Sequence, residues 1–226
     1  MRDITGHVSA RIPGTDEMLI RCRGEDEYGL AFTSEGQVRR LDFDGRGAGL
    51  GAGHVAPLEL PIHGEVYKAR PEVGAVVHAH PTAALLCGLA GVELRPVFGA
   101  YDPYAMEVAA AGVPVFLKPV LIDGPEIAAE LLASLGTGNV CLMRGHGITV
   151  LGETVERATI RALNLEALAR VAWELARGGQ TVPDLTSEEI VSFRRGPGGI
   201  IPGGEQWLWR HYARLADGPP VSSPGP

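Results

Sequence analysis

The apolar positions fall in short runs divided by turn residues, and their period changes along the chain. Residues 6–12 and 18–22 read as two strands joined by the turn Pro13-Gly14-Thr15-Asp16. Residues 37–43 alternate and stop at Asp44-Gly45, which predicts a third strand, and the glycine-rich residues 46–57 read as a loop. Pro61 suits the first turn of a helix over 61–70 that Arg70-Pro71 closes. An apolar run over 73–78 predicts a buried strand, 82–89 a short helix and 112–117 a further strand. After Gly124-Pro125, Ile127, Leu131 and Leu135 recur at spacing four and Gly136 stops them, the mark of a helix. Residues 140–143 read as a buried strand, with 147–151 leading out of it. The longest helix is predicted over 154–177, where Ala158, Ala162, Ala169, Ala172 and Ala176 form a small-residue stripe with Leu165. Helical segments near 186–194 and 204–215 follow, and 217–226 read as a disordered tail. Strands before, between and after helices predict one mixed α/β domain over 1–216. Either the fold starts with the strand at residue 6, or a helix before it is absent from the numbered chain.

Composition narrows the function classes. The chain has 226 residues, 45% of them hydrophobic and 21% charged, enough to bury a sizeable core. Its net charge of -7 argues against a nucleic-acid partner, which needs a basic surface. No apolar run reaches the ~20 residues of a membrane span, and the first residues lack an apolar signal segment. Three scattered cysteines, Cys22, Cys87 and Cys141, without CxxC spacing, fit core filler in a reduced, cytoplasmic protein. Lysine occurs only at Lys68 and Lys118, so Schiff-base chemistry has two candidates.

The chemistry concentrates in two short motifs. His78 and His80 stand two apart at the end of an apolar strand, so both project to one side. His146 follows another buried strand and lies between Gly145 and Gly147, which let the backbone turn and a ligand approach. Three imidazoles and a carboxylate suit Zn, Mn, Fe or Co better than Ca or Mg.

The segments GHVSARIPG, ELPIHGEVY, ARPEVGAVVHAHP and RGHGITVLGETVERA together resemble the class II aldolase/adducin family over residues 4–177. The resemblance implies a three-layer α/β/α fold with a mixed, mostly antiparallel sheet. It implies His78, His80 and His146 as ligands of one divalent transition metal, and a homo-oligomer, most often a tetramer, with sites near subunit contacts. By spacing, nineteen residues before His78, Glu59 matches the family's acid/base carboxylate. Glu65, one to two turns into the helix, fits a solvated or structural role. His63, one turn after Glu59, can lie over it as a supporting or substrate-contacting residue.

The departures from the family point to a substrate. Sugar-phosphate members carry Asn where this chain has His7, a Thr-Gly turn at Arg23-Gly24, and small hydroxyl residues at Pro57-Leu58. Arg23 and His7 offer a cationic fork and an imidazole, which suit a flat carboxylate. The pattern resembles the branch that decarboxylates hydroxylated aromatic dicarboxylates. The expected reaction is loss of CO2, with the charge left behind spread onto an oxygen held by the metal as in an enolate. Glu59 in its protonated form, or Tyr101 or Tyr104, would supply the proton. The alternatives are a sugar-phosphate aldolase or epimerase, a non-haem iron oxygenase, and an adducin-like interaction module that has lost its metal. Trp207, Trp209 and Tyr212 near the end fit an interface anchor better than a core.

Overall fold

The computed structural model describes residues 5–25, 27–195, 200–201, 203–216 and 218. Seven strands form one sheet: β1 (His7–Arg11), β2 (Glu17–Arg21), β3 (Val38–Asp42), β4 (Ala75–Ala79), β5 (Val115–Phe116), β6 (Val140–Met143) and β7 (Gly147–Gly152). Their order is β3-β2-β1-β4-β7-β6-β5. Each neighbouring pair is antiparallel except β5 and β6, which run parallel. The alternation of β2 is resolved as Met18 and Ile20 buried and Leu19 half-exposed, one face to a core and one to solvent. β4 is buried on both faces, in keeping with its unbroken apolar run.

Two helical layers cover the sheet, as the expected three-layer α/β/α arrangement requires. On one face lie α1 (Leu60–Ala69) and α4 (Pro125–Leu135), packed over Met18, Ile20, Leu41, Val76 and Cys141. On the other lie α2 (Thr82–Ala90), α3 (Pro103–Ala109) and α5 (Val155–Arg177), packed over Ala75, Val77, Leu142, Ile148 and Val150. The alanine stripe of α5 is used over most of its length: Ala158 and Ala169 are fully buried, Ala162 and Ala172 partly, and Ala176 in the last turn is exposed. Two further helices, α6 (Ser187–Arg195) and α7 (Gly204–Ala216), flank this second layer.

Two expectations change. The strand predicted over 112–117 shrinks to the two residues of β5, an edge strand with one neighbour. Residues 103–109, read only for Tyr104, form α3: the Asp102 carboxylate accepts from the Ala105 amide, and Pro103 stands in the first turn. The tail expected over 217–226 lies outside the described residues apart from Gly218. Among the described residues no helix is long and apolar enough to cross a membrane.

The seat of α1 depends on Gly64. A Cβ there would collide with the Phe43 carbonyl oxygen, so the helix backbone lies directly on the end of the β3 segment. Gly64→Ala is expected to destabilise by roughly 1–3 kcal/mol, the usual cost of overpacking. A urea titration reads this as a lower midpoint at unchanged slope, and an unchanged midpoint would show that α1 can shift freely.

Candidate metal centre

The register of the sheet places the histidines. His78 near the end of β4 pairs with His7 at the start of β1 on one side and with Thr149 of β7 on the other. His78 and Val76 share a pleat face, so His78 points to the α1 side of the sheet, where Val76 packs into the core. β6 and β7 are joined by a tight turn in which the His146 amide donates to the Met143 carbonyl at 3.0 Å. Gly145 holds that turn at φ 68, a left-handed conformation that glycine adopts freely. Gly147 lets the turn close on β4: a Cβ there would collide with the Ala79 carbonyl and sit 2.7 Å from the His80 ring. Glu59 comes from the first position before α1 and does not cap that helix. Its carboxylate turns instead into the sheet end and accepts from the Ile122 amide at 3.0 Å.

Four side chains therefore converge. One ligand atom from each of Glu59, His78, His80 and His146 lies within 4.8 Å of the others. His78 Nε2 is 3.4 Å and His146 Nε2 3.3 Å from the two Glu59 oxygens. The Nε2 atoms of His78 and His80 are 2.9 Å apart, where two lone pairs repel unless a proton or a cation lies between them. The outer nitrogens are turned away: His80 Nδ1 meets Thr5 Oγ1 at 3.1 Å. His78 Nδ1 is buried beside the Ile148 backbone without a hydrogen bond of ordinary geometry. An outer nitrogen held by the protein, as in His80, with the inner one turned to the group is how imidazoles are arranged around a divalent transition ion. The residues present thus fit such an ion.

Burial sets the protonation states. It favours a neutral Glu59, yet the His146 and His78 contacts and the Ile122 amide outweigh it and hold the carboxyl well below the usual range. Its resting form is therefore a carboxylate, so to supply the expected proton Glu59 must first take one up. Desolvation lowers His80 to about 4 and His63 to about 3, and lowers His7 and His78 as well.

The remaining expected site residues separate. His63 is completely buried, with Nε2 2.6 Å from His7 Nδ1 and Nδ1 2.6 Å from Ser9 Oγ. Both its nitrogens are spent on protein partners, so the expected substrate contact is corrected to an internal one. His7 stacks on His78 at 5.0 Å between ring centres. Arg23 is exposed, and its backbone bridges Val55, four residues before Glu59. Tyr101 is 82% exposed and packs edge-on against Phe98, on the α2/α5 side of the sheet. Tyr104 hydrogen-bonds the Ile201 backbone and lines a cavity with Asn139 and Val140, at the opposite end of β6 from His146. Neither tyrosine joins the Glu59 group within one chain, because the chain after α2 runs along the far face. Glu65 pairs with Lys68 at 2.7 Å, the structural role expected of it. The sequence reading missed Ser9, Tyr67 and the Ile122 amide. The spacing of His7 to Ser9 along a strand and of His63 to Tyr67 along a helix was the available signal for the first two.

The buried neutral histidines predict an acid-sensitive fold. Between pH 6.5 and about 4 the unfolded chain protonates His63 and His80 while the folded chain does not. The unfolded state then binds more protons, so stability falls as pH falls through that window. Its slope approaches about 1.4 kcal/mol per pH unit for the fully buried His63 alone. Glu59 adds to the decline only as pH falls through and below its ordinary value of 4.5, where the unfolded chain takes up a proton that the folded chain refuses, so above pH 5 the histidines dominate. Metal-free protein unfolded by urea at pH 7, 6 and 5 should show the decline, and a flat profile would contradict these protonation states.

Comparison with known proteins gives the family and the fold. Residues 1–173 match the Class II Aldolase and Adducin N-terminal domain family. The chain is 39% identical to the 3,4-dihydroxyphthalate decarboxylase of Arthrobacter keyseri, over 94% of this chain and 86% of that protein. It is 38% identical to the enzyme of the same name from Rhodococcus jostii (strain RHA1), over 96% and 88%. Its fold is similar to that of the L-fuculose 1-phosphate aldolase from Glaciozyma antarctica PI12, with a TM-score of 0.76 and 19% identity over 96% of this chain and 81% of that one. With the family matched over most of the chain and the three-layer fold shared, this protein belongs to the class II aldolase/adducin family.

Proposed function

We propose that this protein is a divalent-metal-dependent carbon–carbon lyase that removes CO2 from a planar, hydroxylated aromatic carboxylate. The observation that carries the reading is an ionised, buried Glu59 facing three inward imidazoles. The chain that holds them aligns almost end to end with dihydroxyphthalate decarboxylases. Glu59, His78, His80 and His146 would hold the ion, and Zn, Mn, Fe and Co all suit that donor set. When bound, a divalent ion supplies positive charge beside the substrate oxygen on which negative charge builds.

The chain's own groups do the rest. Arg23 and His7 receive the carboxylate that stays, through a guanidinium fork and an N–H donor. Glu59, held ionised, accepts the proton of the hydroxyl ortho to the carboxylate that leaves. Glu59 then delivers that proton to the ring carbon bearing the leaving carboxylate, which makes this carbon tetrahedral. The C–CO2 bond breaks, CO2 departs, the bonding pair flows into the ring and onto the ortho oxygen, and one proton from solvent restores the hydroxyl. A single carboxylate thus serves as base and then as acid. The exposed Trp207 and Tyr212 of α7 support a homo-oligomer, read here as a cytoplasmic homotetramer.

Three measurements test this. Metal-loaded protein should release CO2 from ortho-hydroxylated aromatic carboxylates and leave fuculose or ribulose phosphates intact; turnover of the phosphates alone would replace this reading with the aldolase alternative. Arg23→Ala should raise KM for the carboxylate about 10- to 100-fold, the loss of a charge-assisted hydrogen bond, with Arg23→Lys recovering part. His146→Ala should lose its metal by elemental analysis while circular dichroism stays native; full occupancy in that variant would remove His146 from the ligand set.

A further inference from the structure

Behind His7 runs a line of buried polar side chains that the proposed reaction does not use. His7 Nδ1 meets His63 Nε2 at 2.6 Å, His63 Nδ1 meets Ser9 Oγ at 2.6 Å, and Ser9 Oγ meets the Tyr67 hydroxyl at 2.7 Å. Ser9, His63 and Tyr67 are each at most 1% exposed. Complete burial keeps His63 neutral. A neutral imidazole has one N–H and one acceptor nitrogen, so the His7–His63 and His63–Ser9 hydrogen bonds run in one direction, whereas a hydroxyl has a single O–H and can accept twice.

The two directions are not equivalent. If His7 donates from Nδ1, then His63 donates to Ser9, and Ser9 and Tyr67 share one hydrogen bond between two O–H groups, so the O–H of one of them, Tyr67 if Ser9 donates, is left over. Among the described residues Ser9 is the one side chain in hydrogen-bond reach of that hydroxyl. Burial pushes the phenol's pKa up to about 12, and the Val76 backbone acts against that rise, as a donor does and an acceptor does not. That direction strands a buried O–H without an acceptor, which proteins avoid. If Tyr67 donates instead, then Ser9 donates to His63 Nδ1, His63 donates from Nε2 to His7 Nδ1, and every group is satisfied.

We propose that Tyr67, Ser9 and His63 form a tautomer lock that keeps the proton of His7 on Nε2. His7 then stands as a fixed N–H donor to the substrate carboxylate and is barred from the metal. The second half of this statement rests on the decarboxylase reading; the lock itself does not. The His7 ring stacks on His78 at 5.0 Å, close enough to compete as a fourth imidazole ligand. A nitrogen that carries hydrogen has no lone pair for a cation, so the lock separates ligand from donor at one end of the sheet. His63, Ser9 and Tyr67 are positioning residues that act through His7.

Long-range proton–nitrogen correlation spectra of 15N-histidine-labelled protein test this, metal-free and loaded with zinc. His7, assigned by its loss in His7→Gln, should carry its proton on Nε2 in both states. Ser9→Ala cuts the line and should give a mixture of both tautomers at unchanged metal stoichiometry. KM for the carboxylate should then rise about two- to fivefold at constant kcat, in proportion to the competent fraction lost. Tyr67→Phe should keep the Nε2 tautomer, because reversal would now strand the Ser9 O–H. A wild-type His7 protonated on Nδ1, or a Nε2 signal that moves to a metal-bound position with zinc, overturns the lock. An unchanged tautomer in folded Ser9→Ala overturns it too, and if that variant fails to fold, the wild-type spectra decide. The predicted spectra without turnover of any aromatic carboxylate would confirm the lock and reject the decarboxylase.

Discussion

A carboxylate that is 6% exposed has to be compensated, and in this protein much of the sheet end is arranged around that need. An ionised carboxyl taken out of water costs several kcal/mol unless charge or hydrogen bonds replace the solvent. Glu59 finds its replacements on segments far apart in the chain: His78 on β4, His146 in the β6–β7 turn and the Ile122 amide before α4. Because none of them is local, α1 cannot place its first residue without the sheet being complete. The helix gives up Glu59 as a cap to this end, and Pro61 in its first turn removes one amide that would have needed one.

The glycines around the group follow from the same demand for close approach. His80 and His146 can face one another only if β7 meets β4 backbone to backbone, and Gly147 leaves no side chain in the way. Gly145 supplies the left-handed residue that turns the chain back within a few residues of Met143. The outer nitrogen of His80 is held by Thr5 and the His78 ring is completely buried, so their inner nitrogens are oriented before any ion arrives. That preorganisation lowers the entropy cost of binding and sharpens the choice toward ions that accept nitrogen donors.

Two kinds of titratable environment then stand side by side. Glu59 is kept charged by donors that converge on it, whereas His63 is kept neutral by complete burial. The pair of opposite outcomes within one layer of the fold separates a proton acceptor from a set of uncharged hydrogen-bonding groups. It also explains why His63, one turn along α1 from Glu59, does not serve the same site. One turn of helix moves it from the sheet end to the cross-strand pocket lined by His7, Ser9 and Tyr67.

The chain's own pattern determined the elements, the common side of His78 and His80, and the glycine-flanked turn that carries His146. These depend on strand and helix periods and on turn chemistry, which act over a few residues. The aspartate cap and proline that start α3 are equally local signals, beside its one tyrosine, Tyr104. Tertiary structure alone decided that Glu59 is ionised, because its partners lie 19 to 87 residues away and their approach depends on sheet register. It alone sent Tyr104 to the far end of β6 and turned both nitrogens of His63 inward. Which groups meet across layers depends on strand order and on the face each helix covers, and neither is encoded in the spacing of neighbours along the chain.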